Sequence, residues 1–138
     1  MPLLEQVLEK YPQQVKLVYK NYPLRSHSYS APAALAALAA HRQGRFWEFH
    51  DRLFENYREL NDQKIRGIAA RMGLDLQSFE KDRLDPGLIA LVNRDIREGA
   101  RAGVRGTPSI FVNGIKLNAR SMQAFDASIR RELALARK

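Results

Sequence analysis

Residues 99–114, GARAGVRGTPSIFVNG, decide the fold that this sequence predicts. The apolar run from Ser109 to Val112 predicts a short β-strand, and a proline placed directly before it need not donate a hydrogen bond to a neighbouring strand. Asn113-Gly114 is the strongest short signal for a two-residue turn, so Ile115 to Leu117 is predicted to be the returning strand. Only an X-Pro peptide bond adopts the cis form at low cost, so the Thr107–Pro108 bond before this hairpin is one of the few in the chain that can be cis.

The rest of the chain has a mostly helical pattern. Apolar residues at helical spacing, together with capping residues, predict helices that begin near Ser30, Asn61, Asp75, Asp85 and Ser121, and another that ends at Tyr11-Pro12. The alternation of side chains from Val15 to Tyr19 predicts one further strand. The length of 138 residues fits one domain, and no internal repeat or low-complexity linker divides the chain.

Several short motifs follow one another in the order and spacing of a known family. They are Tyr11 to Leu24 (YPQQVKLVYKNYPL), Gly44-Arg45-Phe46-Trp47, His50-Asp51-Arg52-Leu53-Phe54 and Gly103 to Pro108. Each motif is weak alone, but together they resemble the DsbA-like thiol–disulfide oxidoreductases over essentially the whole chain. The resemblance implies an α/β fold and a single domain, residues 1–138. Residues 1–29 and 86–138 would form a thioredoxin-like core, and residues 30–85 would form an inserted all-helical subdomain.

The chain departs from this family in one respect that matters for chemistry. The family carries a Cys-x-x-Cys motif after its first strand, whereas this sequence contains no cysteine. Its first residues resemble the middle and end of the helix that follows that motif, with Pro2 at the position of the family's helix proline. The resemblance therefore implies an N-terminally truncated domain that lacks the first strand and the dithiol. We expect no catalytic residue and no redox activity from the chain as given, since no other side chain replaces a thiolate in disulfide exchange.

The loop before the hairpin is the predicted substrate-binding site. A cis proline would turn the backbone outward and leave the N–H and C=O of Thr107 free, so that an extended peptide can pair with them as an added strand. The Gly-Thr-Pro-strand sequence and the resemblance together predict that the Thr107–Pro108 bond is cis, and the resemblance implies that this loop contacts extended protein or peptide substrates. Arg105 and Gly106 flank it, and the predicted site residues are therefore Arg105, Gly106, Thr107 and Pro108, with no cofactor required.

Composition and spacing disfavour several other functions. The net charge is +8, but the basic residues are scattered and often stand beside acidic ones, as in Arg94-Asp95, so we expect solvated helix faces and no nucleic-acid partner. No apolar run reaches the length of about 18 residues that a membrane span needs. His27, His41 and His50 lack the spacing of metal ligands, so no metal site is predicted.

Three functions remain open from the sequence. The first is a fragment of a DsbA-like thiol–disulfide oxidoreductase or isomerase acting on proteins, whose intact parent the resemblance places in the periplasm or elsewhere outside the cytoplasm. The second is a glutathione-dependent transferase or isomerase of the kappa-like branch, against which Thr107 argues because those proteins carry valine before the proline. The third is a non-catalytic thioredoxin-like module that binds peptides.

The missing strand also predicts a state of assembly. In the thioredoxin fold the first strand lies between the strands predicted at Val15 to Tyr19 and Ser109 to Val112, so both would have an unpaired edge. Unpaired buried backbone groups cost about 1–3 kcal/mol each. We expect copies of the chain to associate through this open sheet edge, the alternative being that the two strands pair with each other within a monomer.

Overall fold

The computed structural model describes residues 2–24 and 27–137. Met1, Arg25, Ser26 and Lys138 of the predicted domain lie outside these ranges. The elements are α1 (Pro2–Lys10), α2 (Ser30–Arg42), α3 (Phe46–Glu55), a 3-10 helix (Tyr57–Glu59), α4 (Asp62–Arg71), α5 (Leu76–Arg83), α6 (Pro86–Arg101), β1 (Phe111–Val112), β2 (Ile115–Lys116) and α7 (Met122–Ala136).

Side-chain caps fix where most of the predicted helices begin. The side chains of Asn61, Asp75, Asp85 and Ser121 each accept a hydrogen bond from a backbone N–H in the first turn of α4, α5, α6 and α7. Such caps satisfy N–H groups that have no partner within the helix. Helix α2 begins at Ser30, where its start was predicted, but Ser30 does not cap it, and that part of the prediction was wrong. The Ser30 hydroxyl accepts a hydrogen bond from the Leu24 N–H at 3.1 Å and so anchors the preceding segment.

Contacts divide the chain into two compact units, of which the larger comprises residues 20–105. Its core lies around α2, which contacts α3, α4, α5 and α6. The alanines at 36, 37, 39 and 40 are buried, and their small side chains let neighbouring helices approach closely. Phe49 of α3 and Phe79 of α5 are both fully buried, with ring centroids 5.6 Å apart. Of the aromatic residues of α3, Phe49 therefore lies in the core and Phe46 packs against it, whereas Trp47 and Phe54 are exposed.

Helix α6 holds the extended segment at residues 20–24 by a buried polar contact. The Asp95 carboxylate is 4% exposed and accepts two hydrogen bonds from Asn21, one from its backbone N–H and one from its side-chain amide, both at 2.9 Å. One turn later the Tyr22 ring lies directly against Gly99, and the Tyr22 hydroxyl donates to the Val104 carbonyl at 3.2 Å. A buried carboxylate needs such donors, so these contacts fix the segment on the helix.

The second unit comprises residues 1–19 and 106–138 and contains α1, the hairpin and α7. Val7 and Tyr11 from the N-terminal part pack with Phe125 and Ile129 of α7. At the edge of this core, Asp126 accepts from the Lys10 ammonium at 2.6 Å and from the Tyr11 hydroxyl at 2.8 Å. Hydrogen bonding, first from Lys10 and then from Tyr11, lowers the pKa of Asp126 below its ordinary value.

The strand predicted at Val15 to Tyr19 is absent, and this prediction was wrong. Val15 and Leu17 are half-buried while Lys16 and Val18 are exposed, but Tyr19, which the alternation places on the same face as Val15 and Leu17, is exposed as well. A strand also needs a hydrogen-bonded partner. In residues 2–24 and 27–137 the sheet contains β1 and β2 alone, so the segment has neither the family's first strand nor β1 as a partner, and the alternative pairing within one chain does not occur.

Candidate functional site

The candidate loop begins where α6 ends in a glycine turn. Gly103 has a φ of +82°, and the Val104 N–H donates to the Gly99 carbonyl at 2.9 Å. A left-handed glycine after the last helical residues is a common helix terminator, because it satisfies carbonyl groups that the helix leaves open. Arg105 is the last residue of the larger unit and is exposed, and Gly106 is the first residue of this segment in the smaller unit.

The Thr107–Pro108 peptide bond is cis, as the sequence predicts. Gly106, Thr107 and Pro108 are all exposed, and the loop is closed on itself by the Ser109 hydroxyl, which donates to the Gly106 carbonyl at 2.7 Å. Within the described ranges, neither the backbone nor the hydroxyl of Thr107 forms a hydrogen bond. Thr107 therefore presents an N–H donor and a C=O acceptor to solvent.

The hairpin after the loop is shorter than predicted but has the predicted turn. Asn113 and Gly114 both have positive φ, 48° and 82°, which are the values that a type I′ turn requires. Phe111 pairs with Lys116 and Val112 with Ile115. Beyond this ladder the Leu117 N–H still donates to the Ile110 carbonyl at 2.8 Å, which brings the segment after β2 back beside the loop.

An open cleft of about 340 Å³ lies between these segments, entirely within the smaller unit. Its lining residues are Gly106, Thr107, Pro108 and Ile110 from the loop and the start of the hairpin, and Lys116, Leu117, Asn118 and Arg120 from β2 and the segment after it. Such a cleft is at the small end of the range for ligand pockets. Its lining is mainly polar and includes three apolar residues, Pro108, Ile110 and Leu117.

Comparison with known proteins identifies the family. A family model described as a DSBA-like thioredoxin domain matches residues 2–130. This chain belongs to the DsbA-like thioredoxin family. A thioredoxin-like oxidoreductase from Silicibacter pomeroyi DSS-3 has a similar structure, with a TM-score of 0.82 and 26% identity over 97% of this chain and 77% of that one. The predicted family and the thioredoxin-like α/β fold with helical insertion are thereby confirmed; the domain limits stay a prediction.

Curated relatives of this DsbA-like chain are much longer proteins. One, named Na(+)/H(+) antiporter NhaA 3, from Salinispora tropica, is 33% identical over 99% of this chain but only 21% of its own length. Another, named Na(+)/H(+) antiporter NhaA 1, from Salinispora arenicola, is 38% identical over 72% of this chain and 16% of its own length. The chain thus spans about a fifth or less of these relatives. In the described part of the chain, no helix is both long enough and apolar enough to cross a membrane.

The DsbA-like loop brings most of the predicted site residues together. Gly106, Thr107 and Pro108 line the cleft, whereas Arg105 does not. That these four residues bind substrate stays a prediction. Sequence reasoning missed Lys116, Asn118 and Arg120. The Asn113-Gly114 turn could have indicated these residues, because a tight hairpin brings the chain after it back beside the loop that precedes it.

The histidines and the family's dithiol decide whether this DsbA-like domain could bind a metal or perform thiol chemistry. His50 is buried on α3, where its Nδ1 lies 3.2 Å from an Asp51 carboxylate oxygen and its ring centroid 4.6 Å from that of Phe54. The ring therefore lies among the aromatic side chains of α3. Across residues 2–24 and 27–137, no group of three or more His, Asp or Glu side chains is placed to hold a metal ion. The sequence contains no cysteine, so the family's thiol chemistry has no nucleophile in these residues.

Proposed function

We propose that this chain is the substrate-binding part of a DsbA-like protein thiol–disulfide oxidoreductase or isomerase, and that it recognises extended polypeptide segments at Thr107. The observation that carries the proposal is the pair of exposed backbone groups on Thr107, which have no partner among the described residues. An extended peptide placed alongside would exchange main-chain hydrogen bonds with both groups. The family match and the fold support this assignment.

The chemistry that belongs to the family needs a thiolate that these residues do not supply. In a dithiol oxidoreductase, a thiolate attacks a disulfide sulfur and forms a mixed disulfide, which a second thiolate then resolves. This chain would contribute the binding of the peptide and the placing of its backbone. DsbA-like proteins generally work outside the cytoplasm, and we propose the same location for the protein to which this chain belongs.

The two other candidates have less support. A glutathione-dependent activity is disfavoured by Thr107, which stands where those relatives carry valine. A module that only binds peptides would share the binding step that we propose, but it would take no part in thiol–disulfide exchange. The antiporter names belong to proteins of which this chain matches about a fifth, so cation transport is not carried over.

Backbone recognition can be tested by altering the backbone of the peptide. A fluorescently labelled extended peptide is titrated with the chain and followed by anisotropy, alongside the same peptide carrying N-methyl groups at alternate amides. The methylated peptide should bind at least several-fold more weakly, since it cannot complete a hydrogen-bond ladder. Thr107→Val, which keeps the backbone groups, should leave the preference for the unmethylated peptide intact. Equal binding of the two peptides would refute the proposal.

A further inference from the structure

The cleft beside Thr107 has an unbalanced charge. Lys116 and Arg120 line it, and no acidic residue does. Elsewhere in the chain many cations are neutralised by a nearby carboxylate: Lys10 by Asp126, for example, and Arg42 by Asp82 and Asp85. Among the described residues, neither Lys116 nor Arg120 forms an ion pair or a side-chain hydrogen bond.

The remaining polar groups of the cleft also favour an anion. The amide of Asn118 supplies N–H donors, and the hydroxyl of Thr107 can donate as well. Both residues line the cleft, and neither side chain has a hydrogen-bond partner in the structure as described. Cations and neutral donors around a concave surface focus a positive potential into it, which attracts a negatively charged group and repels a positive one.

The apolar residues of the cleft restrict what kind of anion fits. Pro108, Ile110 and Leu117 line it together with the two cations. An inorganic ion makes no use of such a surface, whereas the methylene groups of an acidic side chain pack against it while the carboxylate meets the cations. Because the cleft includes Thr107 itself, a peptide paired with that residue would place a neighbouring side chain directly in the cleft.

We infer that the cleft selects acidic polypeptide segments, by receiving an Asp or Glu side chain of the peptide bound at Thr107 between Lys116 and Arg120. This inference rests on the proposed function and adds to it a substrate class. Substrates would carry a carboxylate close to the residue that pairs with Thr107. A lysine or arginine at the same place would be rejected by like charge.

The test compares two peptides that differ by one Glu→Gln change, titrated by anisotropy against the wild type, Lys116→Gln, Arg120→Gln and the double variant. The wild type should prefer the Glu peptide, and each single variant should weaken its binding about 1.4- to 5-fold, the effect of one exposed charge pair. The double variant should bind both peptides equally. The preference should shrink as salt is raised, because exposed charges are screened.

Lys16→Gln is the matched control. Lys16 is exposed, belongs to the same unit and does not line the cleft, so it removes the same charge from a different place. This variant should keep the full preference for the Glu peptide. Equal binding of both peptides by the wild type at low salt, or an equal loss in Lys16→Gln, would overturn the inference.

N-methylated versions of both peptides separate the two proposals. If methylation weakens both peptides while Glu and Gln bind alike, backbone recognition stands and the acidic preference fails. If the Glu peptide binds better than the Gln peptide regardless of methylation, the cleft is an anion site and backbone recognition at Thr107 fails. Preference for Glu together with sensitivity to methylation supports both.

Discussion

Gly99 of α6 has no space for a side chain, and we expect Gly99→Ala to be less stable than the same substitution at a helical glycine with open space around it. A Cβ at this position would lie 2.8 Å from both Cδ2 and Cε2 of the Tyr22 ring. The ring cannot simply turn away, because the Tyr22 hydroxyl donates to the Val104 carbonyl and the segment is held by Asn21 on Asp95. Overpacking of this kind costs about 1–3 kcal/mol.

Gly67→Ala provides an internal reference for the same chemical change. Gly67 also lies inside a helix, α4, but there a Cβ would meet only the Arg71 guanidinium at 3.8 Å, an ordinary contact. Neither glycine has a positive φ, so both substitutions should gain about 1 kcal/mol from helix propensity. The difference between the two variants therefore isolates the contact with Tyr22, and we expect it to be about 1–3 kcal/mol.

Urea unfolding followed by far-ultraviolet circular dichroism measures both variants on one scale. Gly67→Ala should be more stable than the wild type by up to about 1 kcal/mol. Gly99→Ala should be less stable than Gly67→Ala, and its deficit should shrink when Tyr22 is also replaced by leucine, whose side chain lacks the ring edge that meets the new methyl group. Equal free energies of unfolding for the two single variants would refute the close approach of Gly99 and Tyr22.

Three other outcomes follow from the structure. Asp126→Asn should lower the free energy of unfolding near neutral pH. Because the pKa of Asp126 is lower in the folded state, the wild type should have its full advantage in stability above the ordinary pKa of the carboxyl group and lose it as the pH falls through the folded-state pKa. Urea titrations at several pH values will measure this difference. In an insulin reduction assay the chain should match the control without protein, because it contains no cysteine, and turnover above that control would contradict the assignment of the chemistry. Light scattering after size exclusion should show that copies of the chain associate, and a clean monomer at high concentration would reject this. Among the described residues β1 pairs with β2 alone, and the ladder alternation turns the Phe111 N–H and C=O away from β2, toward the edge that a second copy could pair with.

Local signals were sufficient to predict much of this fold. Four helix caps were predictable, because a short polar side chain directly before an apolar helical pattern can accept a hydrogen bond from a backbone N–H of the first turn. These caps are Asn61, Asp75, Asp85 and Ser121. The Asn113-Gly114 turn was equally predictable, since both of its residues must tolerate positive φ.

Predictions that depend on a distant partner were less secure. The alternation of burial predicted from Val15 to Tyr19 holds as far as Val18 and fails at Tyr19, which is exposed. Whether such a pattern becomes a strand depends on a hydrogen-bonding neighbour that no local pattern reveals. Ser30 shows the same limit over a shorter distance. Its hydroxyl accepts a hydrogen bond from the Leu24 N–H, six residues earlier, and not from an N–H group in the first turn of its own helix. The cations of the cleft also depend on contacts between distant residues, because Lys116 and Arg120 line the same cleft as Thr107 only once the hairpin has folded.

The position of α2 has a consequence for how the larger unit opens to solvent. Helix α2 contacts α3, α4, α5 and α6, and because its buried alanines have small side chains, these helices lie close to its backbone. The surrounding helices therefore shield the amides of α2 from solvent. Exposing them to deuterium requires those helices to separate together, which is global unfolding of the unit and not a local fluctuation. The amides of α2 should therefore be the last to exchange, and their exchange should depend on denaturant as steeply as the unfolding transition itself.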